Sequence, residues 1–126
     1  MRKGILMLLL LVVVVAAPAR AEWVKAGEAG IATYYIDSAT IRKEGDFRKV
    51  LQMHDFEEIQ KGGEMSRQGL MEYDCKAARY RLLEFTEYSE PMLGGKKLKS
   101  SDYQGRWAAV PPDTVNADIL KSVCAR

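Results

Sequence analysis

The side chains able to carry chemistry are few, and their spacing decides what each can do. His54 is the only histidine among 126 residues, so any mechanism that needs an imidazole base has one candidate. Asp55 follows it directly, and adjacent side chains on a strand point to opposite faces, which argues against a His–Asp hydrogen bond. Met53 and His54 are haem-ligand types, but as neighbours they cannot grip one iron from opposite sides without a second subunit. Glu72 and Asp74 lie two apart, share a strand face, and can raise one another's pKa as hydrolase carboxylate pairs do. Arg79 and Arg81, across a turn from them, offer the plainer reading of cross-strand ion pairs. No Gly-x-Ser-x-Gly elbow, phosphate loop or Cys/His zinc spacing occurs, so no catalytic residue, metal site or cofactor is expected.

The remaining candidates suit binding rather than catalysis. Tyr34 and Tyr35 sit together in a β-rich run, and Lys96, Lys97 and Lys99 surround Leu98. The lysines read either as a cationic patch for a polyanion or as an edge strand whose charge discourages edge-to-edge pairing. The second reading is favoured, because no aromatic residues interleave with them. Cys75 and Cys124 are the only cysteines. They lack the close Cys-x-x-Cys spacing that tunes a redox thiol, so a structural disulfide is the expectation in an oxidising compartment. It closes a 50-residue loop, for which chain entropy gives about 4 kcal/mol of stabilisation.

The N-terminus supplies that compartment. Arg2 and Lys3 precede an apolar run from Ile5 to Ala17, and Pro18-Ala19-Arg20-Ala21 offers small residues at both recognition positions of a signal peptidase. The run is shorter than the ~20 residues a spanning helix needs, which disfavours a membrane anchor. The expected organisation is a signal peptide, 1–21, and a single domain, 22–126, with no stable membrane insertion once the signal is removed. No cysteine stands at the cleavage site for lipid attachment. Cleavage removes three positive charges and no negative ones, so the formal charge falls from +2 to −1. That removes the electrostatic support for nucleic-acid binding.

The elements that must position these residues read mainly as strands. Leu70 to Cys75 and Arg79 to Tyr88 form two alternating halves around Lys76-Ala77-Ala78, an antiparallel hairpin with Cys75 near its turn. Met71, Tyr73 and Cys75 share one face of the first half. In the second, Leu83 and Phe85 oppose Tyr80, Leu82, Thr86 and Tyr88. Upstream, Trp23 to Ala26 and Ile31 to Ile36 flank a turn over Gly27 to Gly30, and Asp37 caps a short helical turn. Phe47 to Ile59 is the longest candidate strand, with Val50, Gln52 and Phe56 on one face; a helix across Asp46 to Gln60 also fits the spacing. Gly62-Gly63 permits the return turn. Trp107 to Val110 is a further short strand. After Pro111-Pro112, Asp113 or Thr114 caps a helix from Val115 to Val123 whose apolar side is Val115, Ile119, Leu120 and Val123. The expected fold is α+β, an antiparallel sheet of about five to six strands with the C-terminal helix packed on it and one disulfide.

Several of these segments, in this order, resemble the surface-adhesin protein E family of Gram-negative bacteria: Trp23, Tyr34-Tyr35-Ile36-Asp37-Ser38-Ala39-Thr40-Ile41, Glu72-Tyr73-Asp74-Cys75, Arg79-Tyr80-Arg81, Trp107, Val110-Pro111-Pro112-Asp113-Thr114 and Val123-Cys124. The resemblance implies a sheet with a C-terminal helix, contact with host matrix or plasma proteins at the cell surface, and, as in some members, a homodimer. The leading expectation is thus an exported, non-enzymatic protein contacting a protein ligand at the cell envelope or surface, through residues such as Tyr34, Tyr35, Lys96, Lys97 and Lys99. The alternatives are a soluble periplasmic accessory protein that binds an envelope component, and a hydrolase using Glu72 and Asp74.

Overall fold

The computed structural model describes residues 11–12, 21–102 and 104–126. The expected signal peptide therefore lies outside the described residues, apart from positions 11, 12 and 21. No helix among the described residues is long and apolar enough to cross a membrane.

Among the described residues, eight strands and one α-helix follow in order: β1 Trp23–Ala29, β2 Ala32–Asp37, β3 Arg42–Glu44, β4 Phe47–Phe56, β5 Ser66–Asp74, β6 Arg79–Tyr88, β7 Lys97–Ser101, β8 Ala108–Ala109 and α1 Val115–Cys124. All pairings are antiparallel, in the order β1-β2-β4-β5-β6-β7, with β3 beside β4 and β8 beside β6. The main path has six strands, within the expected five to six. β3 and β8, of three and two residues, raise the count to eight. The helical alternative for Asp46 to Gln60 is overturned: β4 pairs with β5 from Phe47 to Asp55, and on its other edge with β3 and then β2.

Two turns show how local chemistry fixes register. Asp37 caps the 3-10 turn Ser38–Thr40, its Oδ1 accepting from the Ala39 N–H at 3.1 Å. At the hairpin between β5 and β6, Asp74 Oδ1 accepts from the Lys76 and Ala77 N–H groups, at 3.2 and 3.0 Å. Cys75 stands at the start of this turn, as expected.

Two expectations need correction. Gly27 to Gly30 is not all turn, since β1 continues to Ala29 and only Gly30 and Ile31 connect it to β2. Gly27 serves close packing instead: a Cβ there would lie 3.1 Å from Cγ2 of Val115, so the bare backbone lets α1 rest on β1. The second concerns β6. Its register shifts at Leu83, because Met71 faces Leu82 whereas Leu70 faces Glu84. The extra residue carries Phe85 onto the face of Leu82, away from its expected companion Leu83.

The core lies between α1 and one sheet face. Ile36, Val50, Met71, Tyr73, Ile119 and Val123 are buried there, with Tyr80, Leu82, Val115 and Leu120 packed around them. This matches the apolar side expected of the helix. Thr114 is the residue that caps it, its Oγ1 accepting from the Ala117 N–H at 3.2 Å. At the other end, Cys124 bonds Cys75 with Cα atoms 5.7 Å apart, and Arg48 Nη2 donates to the Arg126 carbonyl at 3.0 Å. The helix is thus fixed to the bottom of the β5–β6 hairpin. Replacing both cysteines in Cys75→Ser/Cys124→Ser is expected to cost about 4 kcal/mol in urea unfolding of the oxidised domain; an unchanged midpoint would show that packing alone holds the helix.

Candidate functional site

Register places side chains in rows that run across the sheet. On the helix side, one step below the Ala32–Phe56 pair, an upper row is Tyr34, His54, Arg67, Glu87 and Lys99, each facing the next on the adjoining strand. The row below is Ile36, Gln52, Gly69, Phe85 and Ser101. Below that come Val50, Met71 and Leu82, then Arg48, Tyr73 and Tyr80. α1 lies against β1 and β4, beginning near Gly27 and ending at Cys75. Beyond Asn116, which touches Gln52, the upper rows over β4 to β7 are partly open among the described residues: Lys99 is exposed, His54, Arg67 and Phe85 are half-buried, and Gln52, Gly69 and Glu87 are buried.

This open quadrant has a pit at its centre. Gln52, His54, Arg67, Gly69, Met71 and Leu82 line a space of about 150 Å³. Gly69 is its floor: a Cβ there would come 2.9 Å from Cδ1 of Leu82. Glycine inside a strand weakens it by roughly 0.5–1 kcal/mol relative to alanine, and commonly marks a place where another group approaches closely.

The rim combines aromatic and charged groups. Tyr34 and His54 stack with ring centroids 4.0 Å apart and planes within 13°. Arg67 Nη2 donates to Glu87 Oε1 at 3.0 Å, while its buried Nε has no acceptor among the described residues. Phe85 lies between two cations, with the Arg67 guanidinium 5.3 Å and the Lys99 ammonium 6.0 Å from its ring centroid. Such contacts are worth about 0.5–1 kcal/mol each when exposed. Arg67, Glu87 and Lys99 sum to one net positive charge along the row.

A polar chain joins this rim to the helix-covered core. The Tyr73 hydroxyl donates to Gln52 Oε1 at 2.7 Å, and Gln52 Nε2 lies 2.9 Å from His54 Nε2 and 3.3 Å from Asn116 Oδ1 on α1. With Gln52 donating, His54 is neutral and accepts at Nε2. Burial, and secondarily the Arg67 charge, lower its pKa to about 4. Burial likewise pushes the Tyr73 phenol up. His54 and Asp55 point to opposite faces, as the sequence indicates, and Asp55 Oδ1 accepts from the Met92 N–H at 2.7 Å.

The five expected binding residues do not form one patch. Tyr34 and Lys99 share the upper helix-side row, at opposite ends of it. Tyr35 pairs with Lys25 and Met53 on the other face, and Lys97 pairs with Tyr88 there. Lys96 lies in the β6–β7 connection, its N–H donating to Ser89 Oγ at 2.8 Å. The lysines do mark an edge, since β7 ends the sheet. Arg67, Gly69, Glu87 and the re-aimed Phe85 were not singled out from sequence; the glycine inside a strand pattern was the one available signal.

The opposite face holds the carboxylates weighed for catalysis. Arg79 Nη2 reaches Asp74 Oδ2 at 2.7 Å and Arg81 Nη2 reaches Glu72 Oε1 at 2.6 Å. The guanidinium carbons of Arg79 and Arg81 lie 4.9 and 4.3 Å from the Trp107 ring centroid. The Arg79 hydrogen bond, aided by the Ala77 N–H, holds the Asp74 carboxyl below its ordinary range, the reverse of what a general acid requires. Higher on this face, Leu51, Gln68, Leu70, Glu84, Thr86 and Ser100 line a larger groove of about 400 Å³. Among the described residues no three His, Cys, Asp or Glu side chains gather as a metal-ligand set.

These features define a small disulfide-closed domain in which one helix covers part of a single antiparallel sheet. A family model described as surface-adhesin protein E matches residues 23–125, and the chain belongs to that family. Its fold is that of protein E of Haemophilus influenzae. Crystal form II of that protein superposes with a TM-score of 0.67 at 16% identity, over 85% of this chain and 90% of the other. The selenomethionine form gives 0.67 at 17% identity, over 88% and 93%, and protein E from a non-typeable strain gives 0.60 at 14%, over 87% and 80%. No functionally curated protein matches significantly.

The His54 environment sets a pH dependence. An imidazole whose pKa is lower folded than unfolded favours folding above pH 6.5, its unfolded value, and this contribution is lost as pH falls toward about 4. Unfolding free energy is therefore expected to decline from pH 7 to pH 5, above the range where carboxylates titrate. In His54→Phe, which keeps a ring against Tyr34, most of that slope should vanish; an equal slope in urea titrations would assign the dependence elsewhere.

Proposed function

We propose that this is an exported, non-enzymatic binding protein that contacts a protein ligand at the cell envelope or surface, using the open helix-side quadrant of its sheet. Membership in the surface-adhesin protein E family supports an adhesin-like role. The observation that carries the choice of surface is the row Tyr34–His54–Arg67–Glu87–Lys99, with Phe85 beneath it. It combines aromatic and arginine side chains, the types enriched where binding energy concentrates, with a pit able to receive an anchor. The ion-paired Glu72 and Asp74 favour binding over hydrolysis, because both carboxylates are already neutralised by arginine.

Two experiments test the reading. Purified oxidised domain is expected to bind saturably to at least one immobilised host matrix, plasma or envelope protein. Lys99→Glu and Tyr34→Ala should weaken that binding at least tenfold, and Glu84→Ala, in the opposite groove, should not; no saturable binding to any of them would remove the proposal. Protease shaving of intact cells carrying a C-terminal epitope tag then locates the contact. Loss of the tag while a periplasmic control survives places it at the surface. Protection, with release by osmotic shock, gives the periplasmic accessory role.

A further inference from the structure

The pit at Gly69 has features that a generally sticky sheet face does not need. A glycine occupies the middle of a central strand that would be stronger with a side chain there. Its bare backbone lets Leu82 Cδ1 settle 2.9 Å from where a Cβ would stand, and above the two residues a space bounded by Met71 and Gln52 stays open. One strand over, the extra residue at Leu83 turns Phe85 onto the same face, directly opposite Gly69, and bulges that re-aim a side chain recur beside functional sites. Both irregularities act at one spot.

The size and polarity of the spot limit what it takes. An apolar space of about 150 Å³ holds a benzene-sized ring or a branched aliphatic side chain. Among the described residues, Arg67 and Lys99 flank the acid Glu87 along its upper rim. Glu87 uses only Nη2 of Arg67, and Arg67 keeps 35% of its side chain exposed. A carboxylate arriving beside the pit therefore meets the partly exposed Arg67 guanidinium, whose Nη2 is paired with Glu87, and an ammonium across the Phe85 ring.

We propose that the Gly69 pit is an anchor pocket for an acidic peptide segment, taking an aromatic or branched aliphatic side chain while a neighbouring carboxylate pairs with Arg67 and Lys99. This rests on the protein-binding reading and specifies its ligand: a stretch of protein in which an apolar anchor stands next to Asp or Glu.

The test uses two probes on the oxidised mature domain. The first is 3-phenylpropionate, which joins a ring to a carboxylate, followed by ¹H–¹⁵N NMR. Shifts are expected to centre on the amides of Gly69, Arg67 and Phe85, to weaken at least fivefold with uncharged 3-phenylpropanol, and to be lost in Gly69→Ala. The second is a displayed library of random peptides selected on the immobilised domain. It is expected to yield sequences pairing an aromatic or branched aliphatic residue with an acid, binding Gly69→Ala and Arg67→Gln at least tenfold more weakly. Gly69→Ala asks only the mobile end of Leu82 to move, and Arg67→Gln leaves the pit unfilled, so the two do not share a folding risk. Selected peptides that bind both variants as tightly as the parent would overturn the anchor pocket and leave the protein-binding reading standing. No selectable peptide, together with no phenylpropionate shift, would overturn both.

Discussion

One short helix, tied at its C-terminal end, has to close a sheet much wider than itself. Ten residues of α-helix span about 15 Å, whereas the six strands from β1 to β7 extend roughly 24 Å across. The Cys75–Cys124 bond sets where that limited cover goes. It holds the helix end at the turn of the β5–β6 hairpin, and Gly27 admits the beginning of the helix onto β1 at the other side. The buried cluster of Ile36, Val50, Met71, Tyr73, Ile119 and Val123 lies under this diagonal. What the diagonal misses is the quadrant around Arg67, Gly69 and Phe85. The stabilising tether and the open surface are two consequences of the same geometry.

The open rows are not simply leftover surface. Gln52 connects them to the covered core, touching Tyr73 and Asn116 on one side and His54 on the other. His54 is thereby held neutral, and its stack with Tyr34 stiffens one wall of the pit. On the other wall, Arg67 is shared between Glu87 and Phe85. A rim fixed in this way loses little side-chain freedom when a ligand arrives, which favours affinity. The opposite face has spent its strongest charges internally, on the Asp74–Arg79 and Glu72–Arg81 pairs beneath Trp107.

Much of the fold was legible in the sequence because period-two alternation and punctuation are local signals. The hairpin around Cys75, the Asp37 cap, the long β4, the lysine-bearing edge and the apolar side of α1 all follow from residue types within a few positions. The helix alternative for β4 stayed open because its apolar residues fit both periods. The site was less legible, for a physical reason. Rows across a sheet are set by register between strands far apart in sequence, and one inserted residue, here Leu83, moves Phe85 to the other face. Tyr34 and Tyr35 illustrate the same limit: adjacency suggested one patch, and alternation divides them between two faces. Gly69 carried a signal, but its meaning depends on Leu82, thirteen positions away and across a bulge.

Lys99 and Ser100 offer the most direct measurement, because they are exposed neighbours on opposite faces of the edge strand β7. Lys99 stands beside Phe85 on the open quadrant, and Ser100 lines the groove on the other side. The photocrosslinking amino acid p-benzoylphenylalanine would be placed at one position or the other, in otherwise unchanged protein, and irradiated in the cells that produce it. The account predicts a discrete protein adduct from position 99, captured covalently although the Lys99 contact is lost because Tyr34, Arg67 and the pit remain, and none from position 100. An adduct from position 100 alone, or equal adducts from both, would contradict it.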